Sequence, residues 1–473
     1  MTNLRLPANF TCATLLAIAA VPATADGALR PDQVAYRELF RELVETNTTL
    51  SAGSCTEAAG KMAARLRKAG LPERDIHLFA VPGHEKEGGL VAVLPGSDPS
   101  VKPMLLLAHI DVVEARREDW TRDPFTLVEE NGYFHARGVA DDKAMASIWT
   151  DTLVRFLQDG YQPRRTVKMA LTCGEETNGA FNGAEYLTTQ QRELIDAAFA
   201  LNEGAWGTLD EQGRRIMITV QAGEKASQNY RLEVRNPGGH SSRPVKDNAI
   251  YRLAAGLSRL SQYEFPIHLN DATREYFTRM ADIKGGDTGA AMRALVKDPA
   301  DAKAVATITE DPTWNAMLRT TCVATTMEAG HATNALPQRA RANVNCRVYP
   351  VETFEDVRQA IARVVADPAI EVTTLETRGP QAKAPPLTPA IMQPIEQVAA
   401  RIYPGVPLLP LFQAGATDGQ FLGAAGIPTY GIGVLFFEPD LGGIHGLNER
   451  IRVQSLYDGR DFLYELVKAY AGQ

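Results

Sequence analysis

The chain has 473 residues, 49 basic against 57 acidic, and a net charge of −8. That deficit of positive charge argues against a nucleic acid or an anionic membrane as partner. Hydrophobic residues make up 45% of the chain, enough for two or three soluble domains with a sizeable core.

Residues 1–25 read as a secretory signal peptide: Arg5 supplies the positive start, Phe10 to Val21 the apolar stretch, and Ala23-Thr24-Ala25 a small-residue cleavage site. The apolar run is too short to span a bilayer. The expectation is a periplasmic or secreted protein whose mature chain, 25 residues shorter, has 448 residues. Without Arg5 it keeps 48 basic residues against 57 acidic, a net charge of −9. Four cysteines then remain, Cys55, Cys173, Cys322 and Cys346, in no zinc-finger spacing. Cys322 and Cys346 flank two strand-like runs, so a disulfide between them is compatible with export.

Apolar periodicity predicts helices over 32–46, 56–69 and 143–158, and strands at Leu90–Leu94, Met104–Ala108, Val167–Cys173 and Ala198–Leu201. This alternation implies α/β structure with a mostly parallel sheet. After about residue 223 the pattern changes. Strand-like runs at Tyr230–Val234, Cys322–Met327 and Arg341–Val348, with helices near 247–262 and 353–366, read as a smaller α+β layer. Residues 265–320 form a polar, helix-rich insertion. Helices from 388 to 401 and 453 to 471 return to the first pattern, with Thr388-Pro389 opening the former. The expected division is catalytic domain 26–223, inserted domain 224–379 and catalytic domain 380–473.

Five short motifs carry the chemistry. LLLAHIDVVEA holds His109 and Asp111, ARGVADDKA holds Asp141 and Asp142, and LTCGEETNG holds Glu175 and Glu176. ALNEGAWG holds Glu203 and GGIHGLNER holds His445. Each sets a carboxylate or imidazole at the end of an apolar run or beside a glycine, where α/β sheets present residues to a ligand crevice. The set supplies the nitrogen and oxygen ligands that zinc accepts, and its size suits two ions. Each motif has a plainer explanation: a solvated turn for His109, N-capping of the next helix for Asp141 or Asp142, a solvated helix start for Glu175 and Glu176. Their conjunction is what is specific.

The motifs HIDVV, DPF (Asp123-Pro124-Phe125), GVADDK, GEE, NEG and HGLNE also occur in the order seen in the di-zinc exopeptidases. The chain resembles that family of aminoacylases, glutamate carboxypeptidases and succinyl-diaminopimelate desuccinylases over about residues 32–460. It is most similar to the carboxypeptidase S and N-acyl-amino-acid hydrolase branch. Ala144 departs from the glycine usual there.

The resemblance implies a discontinuous zinc-exopeptidase-like catalytic domain and an inserted lid and dimerisation domain. It implies two Zn²⁺, with Co²⁺ or Mn²⁺ as substitutes: His109 and Glu203 on one ion, Glu176 and His445 on the other, Asp141 bridging. Two Zn²⁺, three carboxylates and a hydroxide form a neutral cluster, which a partly dry crevice tolerates. Glu175 becomes the general base and Asp111 the residue that orients His109. A cis peptide is implied between Asp141 and Asp142. In the inserted domain, His240 corresponds to a histidine that stabilises an oxyanion in the partner subunit's site, so a homodimer is expected. Asn334 and Arg347 correspond to contacts of the substrate carboxylate, and Gly415 and Thr417 to a further substrate loop; an ordinary surface ion pair is the alternative for Arg347. The implied activity is hydrolysis of an amide next to a free carboxylate in a small peptide or N-acyl amino acid. The alternatives are an aminopeptidase with related metal chemistry and an inactive binding relative. The second would have lost a ligand or the base, yet His109, Asp141, Glu175, Glu176, Glu203 and His445 are all present.

Overall fold

The computed structural model describes residues 29–177, 181–376 and 379–473; the expected signal peptide lies outside them. Among the described residues no helix is long and apolar enough to cross a membrane.

A ten-stranded mixed sheet forms the main layer. Its centre is parallel: Met104–His109 lies between Val167–Thr172 and Phe199–Asn202, and Thr429–Gly433 extends the parallel run. Antiparallel strands join at the margins, among them the hairpin Ile76–Val81 and His84–Leu94 and the strand Arg215–Glu224. The central strands are buried on both faces, which is why they read as unbroken apolar runs.

The flanking helices have local causes. Cys55–Ala69 starts where the Ser54 side chain accepts from the Glu57 amide, and stops at Gly70, left-handed with φ +104°. Lys143–Gln158 is buried nearly all round, wider than the predicted stripe of Met145, Ile148, Trp149, Leu153 and Phe156. It tolerates Asp151 because Arg460 pairs with it at 2.7 Å. Thr388 precedes a helix with proline at its first position, as expected, although its side chain makes no capping bond.

The chain leaves the main sheet at Glu224, turns through the buried Lys225, and enters a second sheet at Ala226. This four-stranded antiparallel sheet has the order Thr321–Ala329, Arg339–Val348, Ala226–Arg235, Ile370–Thr374. Helices Ala249–Leu260 and Phe354–Val365 pack on the face made by Tyr230, Leu232, Val344, Cys346 and Val348. Cys322 stands opposite Cys346 in register, and the disulfide that the sequence left open is formed. A second disulfide, Cys55–Cys173, was not foreseen.

The helical insertion is four helices between Asp271 and Leu318. It does not pack on the small sheet's outer strand. Phe277, Met280, Met292, Leu295 and Ile308 bury Leu409 and Leu411 of the main-sheet strand Leu408–Gln413.

Candidate metal centre

Three neighbouring parallel strands end side by side and carry the site. His109 is the last residue of one, in register with Thr172 at the end of the next, and Asn202 ends the third. Beyond these ends come Asp111, the Glu175–Glu176 loop and Glu203. A small three-stranded sheet brings up the rest. Its strands Tyr133–His135 and Arg450–Arg452 pair, which sets the loop before Asp141 against the loop holding His445.

Asp141 lies between the two imidazoles. Its Oδ1 is 3.0 Å from His109 Nε2 and its Oδ2 is 3.1 Å from His445 Nε2. Glu176 Oε1 is 2.9 Å from the same His445 nitrogen. One group of ligand atoms within 4.8 Å joins His109, Asp141 and Glu176; another joins His109, Glu175 and Glu203. Glu175 and Glu176 therefore fall in different groups. The Asp141–Asp142 peptide is cis. Asp142 is the N-cap of the following helix but makes no side-chain capping bond, and Asp141 faces the histidines. Helix capping does not explain this pair.

The electrostatics ask for cations. Burial pushes the carboxyls of Glu175, Glu176 and Glu203 up, and neighbouring carboxylates add to it. Burial also acts against ionised Asp141, yet His109 and His445 hold it well below the usual carboxylate range. Contacts with Asp141 and then Glu176 push His445 up to about 10. Such a cluster of buried acids either takes up protons or takes up metal, and its oxygen and imidazole donors fit divalent ions. A third group, Cys55, Asp111 and Cys173, offers no thiolate because its sulfurs are joined.

Several site residues have jobs that sequence reasoning did not assign. Glu449 is fully buried; it accepts from Arg137 Nη1 (2.7 Å) and from the amides of Gly138 (3.0 Å), Ala140 (2.9 Å) and Asp141 (3.2 Å). Lys143, also fully buried, donates to the Thr46 carbonyl at 2.7 Å and so ties the Asp141 segment to the end of the first helix. Burial pushes its amine down to about 7. Both residues lie within the quoted motifs, but their partners are distant in sequence.

Asp111 departs from its expected part. Its carbonyl oxygen is 3.1 Å from His109 Nδ1, whereas its carboxylate is 3.6 Å away. The carboxylate instead accepts from the amides of Glu175 (3.3 Å) and Glu176 (3.0 Å). Asp111 thus orients the histidine mainly through its main chain and fixes the glutamate loop with its side chain.

The substrate candidates divide. Gly415 and Thr417 line a cavity of about 250 Å³ with Asp141, Glu175, Glu203 and His445. The Thr417 hydroxyl is already engaged, donating to Glu224 at 3.0 Å and accepting from Asn202 at 3.1 Å, so it braces the loop. Arg347 is half-buried and makes no ion pair among the described residues; burial lowers its pKa, and the carboxylate whose field reaches it is Glu175. Among the described residues no ordinary surface ion pair accounts for it. Asn334 does not sit beside it. Its carbonyl accepts from the Ser241 amide, and Gly239–His240 pairs with Ala335–Leu336, so Asn334 belongs with His240. Arg347 is at the other end of its strand from Arg339, roughly 26 Å away at strand spacing. His240 is exposed, bonds Ser242, and does not line the cavity.

Comparison with known proteins decides the family. A family model described as peptidase family M20/M25/M40 matches residues 105–469. The chain belongs to that family. It is 30% identical over 384 residues to the N-fatty-acyl-amino acid synthase/hydrolase PM20D1 of Homo sapiens, covering 79% of this chain and 75% of that protein. It is 24% identical to aminoacylase-1 of Mus musculus over 92% of this chain and 94% of that one. Among solved structures, the M20 family metallo-carboxypeptidase Sso-CP2 from Sulfolobus solfataricus matches with TM-score 0.70 and 20% identity, over 94% of this chain and all of that one. This M20 chain is a metal-dependent hydrolase of the peptidase and amidohydrolase class, with the mixed α/β fold of its relatives.

Proposed function

We propose that this centre holds two zinc ions and hydrolyses the amide of an N-acyl amino acid, releasing the free amino acid. The observation that carries the reading is the Asp141 carboxylate, whose two oxygens each face a different imidazole, with Glu175 beside them. His109 and Glu203 would hold one ion and Glu176 and His445 the other, with Asp141 shared. Bound there, such ions polarise a carbonyl and acidify water. Glu175, its carboxyl pushed up by burial, takes the proton from water at its carboxylate and delivers it to the leaving nitrogen. Arg347, with no acid of its own, is suited to the substrate carboxylate.

The cavity supports an acyl substrate over a dipeptide with a free amine. Besides the acids it is lined by Met145, Trp206, Leu435, Phe437, Leu441 and Ile444. These side chains offer apolar surface that an acyl chain can bury. The name of the human relative supports the same substrate class. Purified chain assayed on N-acyl amino acids of increasing acyl length and on free dipeptides, with and without chelator, tests this. Hydrolysis should be abolished by chelator, restored by zinc, and stronger for apolar acyl groups than for dipeptides. Arg347→Met should raise KM by about tenfold to a hundredfold. Chelator-resistant cleavage, or equal cleavage of substrates with a blocked carboxylate, refutes the reading.

Homodimerisation with His240 acting in trans belongs to the same proposal. The strand Thr321–Ala329 is an exposed sheet edge, with Val323 60% and Met327 57% exposed, and the helical insertion leaves it uncovered. Mixing inactive His240→Ala chains with inactive Glu175→Gln chains should restore part of the activity, because some sites then receive both intact residues. No recovery despite proven subunit exchange rules out sharing. Export to an oxidising compartment completes the proposal, and the two disulfides are its support.

A further inference from the structure

The Cys55–Cys173 disulfide closes 118 residues of sequence, which stabilises the fold, and it does so at the edge of the metal centre. Cys173 directly follows the strand Val167–Thr172 and stands two residues before Glu175 and three before Glu176. Cys55 is the first residue of the helix Cys55–Ala69, whose Ala58, Ala59, Met62 and Leu66 are sunk in the main core. The bond therefore ties the root of the glutamate loop to a rigid helix start across 118 residues of sequence.

The other restraints on this loop are hydrogen bonds: Gly183 N to the Cys173 carbonyl at 2.7 Å, Asn182 Nδ2 to the Gly174 carbonyl at 3.2 Å, and the Glu175 and Glu176 amides to Asp111. At Gly174 the backbone also packs directly against Phe181: φ is +98° and an added Cβ would meet the Phe181 carbonyl oxygen at 1.9 Å. Both sulfurs also lie within 4.8 Å of an Asp111 carboxylate oxygen. As thiols they would be zinc ligands next to the residue that holds both the loop and His109; joined, they are withheld from metal.

We propose that Cys55 and Cys173 are positioning residues of the metal centre: their disulfide sets the Glu175–Glu176 loop at the spacing that zinc binding and proton transfer require. This rests on the metallohydrolase reading above for its kinetic part and on the geometry alone for its metal-binding part. Loss of a group that orients metal ligands commonly weakens metal affinity or activity by about 10–100-fold.

The test compares Cys55→Ala/Cys173→Ala with Cys322→Ala/Cys346→Ala in the full chain, well below each melting temperature. Zinc affinity is read by chelator competition, and kcat and KM on the best N-acyl amino acid. The first pair should weaken zinc binding and lower kcat by about tenfold or more with little change in KM. The second pair should lower the melting temperature without that loss of zinc affinity. A folded Cys55→Ala/Cys173→Ala protein with zinc affinity and kcat within about twofold of the parent overturns the proposal, as does an equal loss in the second pair. Should the first variant fail to fold, the Cys322→Ala/Cys346→Ala protein is reduced with a phosphine, which yields phosphine oxide and two thiols with water as the oxygen source. After removal of the phosphine the two thiols are capped with methyl methanethiosulfonate so that they cannot bind zinc. Reduced and capped protein with native circular dichroism and unchanged zinc affinity overturns the proposal equally. If the parent hydrolyses no amide, the functional reading fails, while the zinc-affinity comparison still decides the role of the disulfide.

Discussion

Replacing Glu175 with glutamine is expected to lower kcat by about 10²–10⁴-fold while leaving the metal content of the protein unchanged. Glutamine keeps the shape of the side chain but cannot take a proton. The Glu175 amide still reaches Asp111, so the loop that also carries Glu176 keeps its hydrogen bonds to that carboxylate. His109, Asp141, Glu176, Glu203 and His445 keep all their donor atoms. Metal analysis beside steady-state kinetics separates the two functions of a carboxylate in such a site. Lost metal would move Glu175 to the ligand set; near-normal turnover would remove it from proton transfer.

Glu449→Ala should cost about 3–5 kcal/mol of stability, because it strips one partner from a buried ion pair. Arg137 Nη1 would face an apolar interior, and the amides of Gly138, Ala140 and Asp141 would lose their acceptor. A second effect follows from position. The amide of Asp141 is one of those three, so the carboxylate standing between the two imidazoles loses its support and metal affinity should fall as well. Urea unfolding and chelator competition read the two effects separately. A stability loss below about 1 kcal/mol would mean that Arg137 and the freed amides find replacement partners.

The metal site was legible in sequence because each candidate ligand follows an apolar strand or a glycine turn within a few residues. His109, Asp141, Glu176, Glu203 and His445 each carry that local signature, and the structure brings them together. The disulfide between Cys322 and Cys346 was only half legible: two strand-like runs close in sequence suggested that it could form, and the register that puts the cysteines opposite each other belongs to the folded sheet. Cys55 and Cys173 gave no such clue, since the contact depends on how a helix start meets a strand end across the core. Glu449 and Lys143 were passed over because their partners are main-chain groups that acquire meaning only once the loops are folded together. Asn334 and Arg347 were named through the resemblance, and within one chain they stand apart. The turn after Leu336 sends Asn334, with His240, to one end of a long strand and leaves Arg347 at the other.

The helical insertion has a consequence for the solution behaviour of the chain. The strand Leu408–Gln413 pairs on one side only, with Arg215–Glu224, and would otherwise offer bare carbonyls and amides beside Leu409 and Leu411. The insertion roofs it. Its apolar side chains bury both leucines, and Arg279 Nη1 donates to the Leu408 carbonyl at 2.7 Å. Open, apolar sheet edges template further strands and drive precipitation or fibre growth. A chain trimmed of residues 271–318 would keep every candidate ligand, yet it would expose such a seam and lose colloidal stability before it lost chemistry.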